Sequence, residues 1–256
     1  MKIKILGSGN AFCLAEENYH SNFIIESEGE NLLFDAGTTI AEALNGGGVA
    51  PADIDNIFIS HLHGDHCGGI EYIAFKTYFE QFPFGENKIN LIGHKTVMET
   101  GWDRTWSGGL RSIEGQRNTL ETYFDTNYLE DNGMFFFGNA RCLLFPTQHV
   151  VDDKKLVASY GIVIKENCKT LMITGDTQYD PEGLELYYAD ADIIMHECEF
   201  SDYDNSVHSQ YRKLILLPDH IKAKIWLYHY SDNGDLPDVK RDGFLGLLKR
   251  GDTFEC

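Results

Sequence analysis

Short apolar runs that end at a histidine or a carboxylate recur along the 256-residue chain. Runs this short and this apolar are typical of buried strands. Polar groups gathered at the ends of rigid strands are a common way to build a site in an α/β protein. The pattern therefore predicts an α/β fold with chemistry at the strand ends. The runs are Ile57–Ile59, Leu143–Phe145, Leu171–Ile173, Ile193–Met195 and Ile225–Leu227.

Other segments predict the remaining elements. Asn22–Ile25 and Asn31–Phe34 should pair as a hairpin around Gly29. The length fits one domain over residues 1–256, with a variable, aromatic-rich region around residues 72–140. Four helices are expected, at Thr39–Leu44, Gly69–Phe82, Gln210–Leu217 and Val239–Leu248.

The composition limits the classes of partner that the protein is expected to bind. Twenty-one basic and forty acidic residues give a net charge of −19 and a pI near 4.8. A long nucleic acid partner is therefore not expected, because binding one requires a basic footprint. A small anionic substrate stays possible, since bound dications can invert the local field. Scattered cysteines without a CxxC pair, and no signal peptide or membrane-length apolar run, predict a cytoplasmic protein with no membrane partner.

The segment His61-Leu62-His63-Gly64-Asp65-His66 carries the strongest chemical signal. Three imidazoles and one carboxylate within six residues suit Zn²⁺ or a similar divalent ion. Such a density of ligands directly behind a buried strand predicts a metal site.

This segment resembles the HxHxDH signature of the metallo-β-lactamase superfamily. Gly7-Ser8-Gly9 resembles the first glycine turn of that family, and Asp35 with Gly37 resembles its site-bracing turn. The resemblance covers nearly the whole chain and implies a four-layer αββα sandwich. It also implies two divalent metal ions, Zn²⁺ with Mn²⁺ as an alternative, which polarise a water for attack on a phosphoryl group. One ion would be held by His61, His63 and His149, the other by Asp65, His66 and His229, with Asp176 between them; Asp65 is also counted as catalytic.

Two later motifs resemble the ribonuclease Z branch. His196-Glu197-Cys198-Glu199 is similar to its HEAT motif, and His208-Ser209-Gln210 is similar to its HST motif. The resemblance implies that Glu197 orients His208, which acts as the general acid and protonates the leaving oxygen. The chain departs from the family pattern at Cys198, Glu199 and Gln210, so the chemical residues are kept while their neighbours change.

Only 26 residues separate His149 from Asp176, where ribonuclease Z usually carries a basic arm. A missing arm and an acidic chain favour a small phosphodiester. The best resemblance is to the anti-Pycsar cyclic nucleotide phosphodiesterases of phages and bacteria, which counter cyclic-nucleotide immune signalling. It implies a homodimer that converts 3′,5′-cyclic pyrimidine, and also purine, nucleotides to 5′-monophosphates. The protein would act in a bacterial cell, or in an infected bacterial cell if a phage encodes the protein.

The stretch Trp102–Gly109 is predicted to be a flexible loop that offers stacking surfaces to a nucleobase. Trp102, Trp106 and Arg104 are the candidate substrate contacts, and a packed insertion or dimer contact is an equal interpretation. Three functional alternatives stay open. They are an arm-less ribonuclease Z-type tRNA 3′ endonuclease, a metallo-β-lactamase-fold hydrolase of lactones or thioesters, and a metal-bound protein that sequesters a nucleotide.

Overall fold

Two seven-stranded sheets lie face to face in the computed structural model, which describes residues 1–13, 18–81, 87–201, 207–231 and 236–256. In spatial order, the first sheet contains β18 (Thr253–Glu255), β1 (Lys2–Gly7), β2 (Asn22–Ser27), β3 (Glu30–Phe34), β4 (Asn56–Ile59), β5 (Ile89–His94) and β8 (Phe124–Leu129). The second contains β17 (Gly246–Leu247), β16 (Ile225–Tyr228), β15 (Ile193–Glu197), β14 (Lys169–Ile173), β13 (Tyr160–Glu166), β10 (Ala140–Pro146) and β9 (Met134–Phe137).

Helices and two small hairpins complete the architecture. The hairpins are β6 (Ser112–Ile113) with β7 (Gln116–Arg117) and β11 (Val151–Asp152) with β12 (Lys155–Leu156). The helices are α1 (Ile40–Gly47), α2 (Gly64–Cys67), α3 (Ile70–Lys76), α4 (Lys95–Gly101), α5 (Ser107–Leu110), α6 (Glu185–Asp190), α7 (Tyr211–Leu214) and α8 (Asp219–Lys222).

Alternating side chains divide the apolar core into layers, because successive residues of a strand point to opposite faces. In β14, Leu171 and Ile173 join the core shared by the two sheets, whereas Met172 joins a second core with Ile221 of α8. The rings of Phe23 in β2 and Tyr228 in β16 meet edge to face at 5.0 Å, across the two sheets. Helix α1 packs on the first sheet and α6 on the second. The predicted four-layer αββα sandwich is confirmed.

The parallel parts of both sheets bring strand ends to one edge. Strands β3, β4 and β5 run parallel in the first sheet, as do β14, β15 and β16 in the second. The carboxyl ends of parallel strands emerge at the same edge, so the loops that follow them meet there. All five apolar runs lie in strands as predicted, and β2 and β3 form the predicted hairpin.

Two local predictions need correction. The expected helix Val239–Leu248 is wrong: turns lead into β17, and positive φ at Gly243 (98°) and Gly246 (153°) breaks any helix. Val239, Phe244 and Leu248 are buried without helical periodicity. The expected loop Trp102–Gly109 is instead a π-helical turn that runs into α5.

The other helices are shorter than predicted or end elsewhere. Helix α1 occupies Ile40–Gly47, and α7 covers only Tyr211–Leu214. The Gly69–Phe82 prediction is met by α3 and a π-helical turn at Thr77–Gln81, while Phe82 lies outside the described residues. Across the described part of the chain, no helix has the length and apolarity needed to cross a bilayer.

Candidate active site

The first group of donor atoms forms where β4 ends. His61 and His63 follow that strand, and His61 Nε2 lies 3.0 Å from His63 Nδ1. His149, which follows β10, places Nε2 3.1 Å from the same His63 nitrogen. Asp176, after β14, brings Oδ2 to 3.8 Å from His61 Nε2 and 3.7 Å from His149 Nε2. These four side chains could hold one metal ion.

The second group lies beside the first. His66 Nε2 is 3.3 Å from Asp65 Oδ2 and 3.3 Å from His229 Nε2. His229 Nε2 is also 3.2 Å from Asp65 Oδ2. Asp176 reaches this group too, with Oδ1 3.3 Å from His66 Nε2 and Oδ2 3.4 Å from His229 Nε2. The structure thus brings together all seven predicted ligands, with Asp176 between the two groups.

Asp35 supports both groups from behind. Its Oδ1 accepts a hydrogen bond from Ser60 N at 2.8 Å. Its Oδ2 accepts from Ser60 Oγ and lies near His66 Nδ1, both at 2.7 Å. Because a carboxylate only accepts, His66 must carry its hydrogen on Nδ1, which leaves Nε2 as a donor of electrons to a metal. Asp35 adopts a left-handed backbone (φ 60°), a conformation that costs free energy and recurs at functional sites.

Hydroxyl groups hold the backbone of Asp176. Thr147 Oγ1 donates to its carbonyl oxygen at 2.9 Å, and Ser159 Oγ donates to it at 3.2 Å. Gly175 precedes it with φ 61°, and a Cβ there would lie 2.8 Å from the Tyr160 carbonyl oxygen. The chain can therefore turn at this point only with glycine, and the turn aims the Asp176 carboxylate between the two groups.

The electrostatics suit cations. Burial holds the pKa of His61 well below its usual value and lowers that of His149 to about 4, so both rings are neutral and can offer lone pairs. Burial raises the pKa of Asp176, but the surrounding imidazoles, His229 first, outweigh it and keep the carboxyl ionised. The buried Asp176 Oδ1 accepts no hydrogen bond within the described residues. A buried carboxylate oxygen without a hydrogen-bond donor is a suitable ligand for a metal ion, so the residues present fit such an ion.

His208 and Glu197 lie against the second group. His208 Nδ1 is 3.3 Å from Glu197 Oε2, and the other oxygen of this fully buried glutamate accepts from Ser209 N at 2.7 Å and Thr177 N at 3.3 Å. Burial lowers the pKa of His208, yet the neighbouring Glu197 outweighs it and raises that pKa to about 9. The His208 side chain is 20% exposed, so a substrate can reach it. The predicted acid and its orienting residue are therefore adjacent.

The backbone joins the two ribonuclease Z-like motifs. Glu199 N donates to Ser209 O at 2.9 Å, and Tyr211 N donates to Glu199 O at 2.9 Å. Gln210, one of the departures from the family pattern, is fully buried and accepts from Arg212 Nε at 3.0 Å. His149 Nδ1 lies 2.7 Å from Val207 O, which ties a ligand of the first group to the segment that carries His208.

The three predicted substrate contacts lie in different environments. Trp106 is wrong as a stacking surface: it is 3% exposed, and its Nε1 donates to Cys67 O at 3.1 Å. A ring buried behind the metal-ligand loop has no free face for a nucleobase. Trp102 is half-buried with the Arg111 guanidinium 5.7 Å from its ring centroid, and Arg104 is exposed. For these two residues, substrate contact stays a prediction.

Sequence reasoning found Asp35 but missed other side chains that support the ligands. His20 is buried beside the site, with Nδ1 3.3 Å from Thr38 Oγ1, and burial lowers its pKa although the nearby Asp65 acts in the opposite direction. Ser60 directly precedes His61, and Thr147 lies between strand β10 and His149. None of these positions has a spacing signal, because each acts through tertiary contacts; adjacency of Ser60 and Thr147 to motif residues was the only clue.

The fold and this donor set define a metal-dependent hydrolase of the metallo-β-lactamase fold. Solved structures share the fold: YhfI from Bacillus subtilis has a TM-score of 0.77 at 20% identity, covering 99% of both chains. The short form of human tRNase Z has a TM-score of 0.71 at 20% identity, covering 100% of this chain and 99% of that one.

Sequence comparison gives the family. The model of the family described as Anti-Pycsar protein Apyc1 matches residues 1–254, and the chain belongs to that family. The Anti-Pycsar protein Apyc1 of Paenibacillus harenae is 32% identical over 238 residues, 92% of either chain. That of Bacillus phage BSP38 is 29% identical over 244 residues, 91% of this chain and 90% of the relative. The predicted anti-Pycsar resemblance is confirmed.

Proposed function

We propose that the protein is a phosphodiesterase that hydrolyses 3′,5′-cyclic nucleotides to 5′-monophosphates and so counters cyclic-nucleotide immune signalling. The observation that carries the proposal is the His208–Glu197 pair at 3.3 Å beside two metal-ligand groups. Hydrolysis of a phosphodiester needs an attacking water, neutralisation of phosphoryl charge and a proton for the leaving oxygen. Lactones and thioesters do not require a separate acid of this kind. Membership of the anti-Pycsar family supports cyclic nucleotides as the substrates.

Two divalent ions, Zn²⁺ or Mn²⁺, would be held by the two groups with Asp176 shared. When bound, such ions neutralise phosphoryl charge and lower the pKa of a water. The chain's own residues orient the ligands for these ions. Asp35 keeps the hydrogen of His66 on Nδ1, and Val207 O does the same for His149, so that Nε2 of each ring can bind a metal. Thr147 and Ser159 donate to the backbone carbonyl of Asp176 and so fix the chain at the residue that carries the shared carboxylate.

His208 acts as the general acid in this proposal. Glu197 Oε2 faces His208 Nδ1, so Nε2 is the nitrogen that can give its proton to the departing 3′ oxygen. Glu197 cannot rotate away, because its second oxygen is held by the amides of Thr177 and Ser209. Water adds to phosphorus, the bond from phosphorus to the 3′ oxygen breaks, that oxygen leaves as a hydroxyl, and the phosphate stays on the 5′ oxygen.

An arm-less tRNA endonuclease is less well supported. All residues between His149 and Asp176 are described, and they form the short β11–β12 hairpin and strands β13 and β14. No segment within that stretch projects as a basic arm, and the net charge of −19 opposes binding a long RNA. We further propose a homodimer that acts in the bacterial cytoplasm, or in the cytoplasm of an infected host; light scattering of the purified protein tests the dimer.

Liquid chromatography tests the proposed reaction. Purified protein loaded with Zn²⁺ or Mn²⁺ is incubated with 3′,5′-cyclic CMP, UMP, AMP and GMP, and the products are compared with authentic 5′- and 3′-monophosphates. The 5′ isomer is expected. Recovery of intact cyclic nucleotide would refute the proposal, and parallel incubations with a lactone, a thioester and a precursor tRNA would show which alternative holds.

A further inference from the structure

A buried histidine and a buried tyrosine lie behind Glu197. His196 and Tyr188 are both shielded from solvent, at 0% and 4% exposure. In β15 the side chain of Ile194 joins the core under helices α6–α8 and that of Met195 joins the core between the sheets, so His196 faces the helices. That core is otherwise almost entirely apolar, and a polar pair buried there costs free energy unless it is fully hydrogen-bonded.

The pair is hydrogen-bonded in a way that fixes its protons. His196 Nδ1 lies 2.7 Å from the carbonyl oxygen of Glu197, and its Nε2 lies 2.8 Å from the Tyr188 hydroxyl. A carbonyl oxygen only accepts, so Nδ1 carries the hydrogen. Burial lowers the pKa of His196 to about 4, so the ring is neutral and Nε2 accepts from Tyr188. Tyr188 thereby favours the tautomer in which His196 can donate to Glu197.

On the side of β14, Glu197 needs these side chains because that strand has ended, whereas on the other side Glu197 still lies opposite Tyr228 of β16. Strand β14 pairs with β15 only as far as Ile173 opposite Met195. Two residues later, the N–H of Glu197 donates to Thr174 Oγ1 at 3.2 Å, and its carbonyl accepts from His196. Buried backbone groups must be paired, and here side chains replace the missing strand ladder. The backbone on both sides of the Glu197 Cα is therefore held by side-chain contacts.

We propose that Tyr188 and His196 form a positioning pair that holds Glu197, and through it His208, in the orientation that delivers the proton to the leaving oxygen. The inference rests on the proposed function. Neither residue touches the substrate, and each acts only through the Glu197 backbone. The Glu197 carboxylate, 3.3 Å from His208 Nδ1, transmits any rotation of that backbone directly to the acid.

A comparison of two leaving groups tests the pair. In Tyr188→Phe, kcat for a cyclic nucleotide should fall by about tenfold or more, a fraction of the 10²–10⁴ that a positioned acid contributes. KM and the metal content should not change. Hydrolysis of bis(4-nitrophenyl) phosphate should be nearly unaffected, because nitrophenolate departs without a proton. Tyr187→Phe is the matched control, since Tyr187 stacks on Phe145 at 4.4 Å and its hydroxyl makes no hydrogen bond in the described residues.

A second pair of variants tests the proposal independently if Tyr188→Phe does not fold. In His196→Asn, the amide nitrogen can take the place of Nδ1 and donate to Glu197, whereas His196→Leu cannot. Cyclic nucleotide turnover should therefore be higher in His196→Asn, with equal metal content. Equal loss on both substrates in Tyr188→Phe, or equal turnover in the two His196 variants, would overturn the pair. Wild-type protein that cleaves only the nitrophenyl ester would instead refute the proposed function.

Discussion

Replacing Asp35 by asparagine should weaken metal binding at the group formed by Asp65, His66 and His229. Asp35 accepts three hydrogen bonds, from Ser60 N, Ser60 Oγ and His66 Nδ1, at 2.7–2.8 Å. An asparagine can keep an oxygen toward Ser60 N only by turning its NH₂ toward His66. Two donors then face each other, and His66 must move its hydrogen to Nε2, the atom a metal needs.

The magnitude follows from this lost contact. Loss of such a supporting carboxylate typically weakens metal binding by about 10- to 100-fold. That corresponds to about 1.4–2.8 kcal/mol, at 1.4 kcal/mol for each factor of ten. The first group, built on His61, His63 and His149, should keep its affinity, because Ser60 can still hydrogen-bond His61 Nδ1, 3.0 Å away.

Competition with a chromophoric chelator measures the effect. Metal-free protein is titrated with Zn²⁺, and two binding steps are expected in the wild type, with only one weakened in Asp35→Asn. Asp55→Asn serves as the control, since the side chain of this aspartate accepts from Asn31 N in an exposed position away from the site. A folded Asp35→Asn protein that binds both ions with wild-type affinity would refute the reasoning.

Three further changes test the site. Asp176→Ala should abolish both metal binding and turnover because the shared ligand is lost; elemental analysis that still finds two ions would contradict this. His208→Ala should keep both ions and lose about 10²–10⁴ in kcat, and loss of an ion would show that His208 is a ligand instead. Trp106→Ala should lower the free energy of unfolding by about 3–5 kcal/mol as measured in urea, whereas a change confined to KM would restore the stacking role.

The strands and the donor-rich segment from His61 to His66 were predictable because their signals are local. A short run that is apolar at every position is typical of a strand whose two faces are both covered. The HLHGDH segment places four candidate metal ligands within six residues. His149 and His229 carry no such signal alone and were assigned through resemblance. The Val239–Leu248 prediction failed because apolar spacing is ambiguous in a short segment, and the glycines at 243 and 246 adopt backbone angles that no helix allows.

The amino-acid sequence by itself determined the fold class, the donor-rich segment from His61 to His66 and the acidic character that disfavours long nucleic acids, since each depends on residue type and local spacing. Only the tertiary structure decided that Trp106 is a core side chain, that Thr147 and Ser159 hold Asp176, and that Tyr188 and His196 support Glu197. These roles depend on contacts between residues distant along the chain, such as Thr147 with Asp176. Packing of two sheets sets those contacts, and no local pattern encodes them.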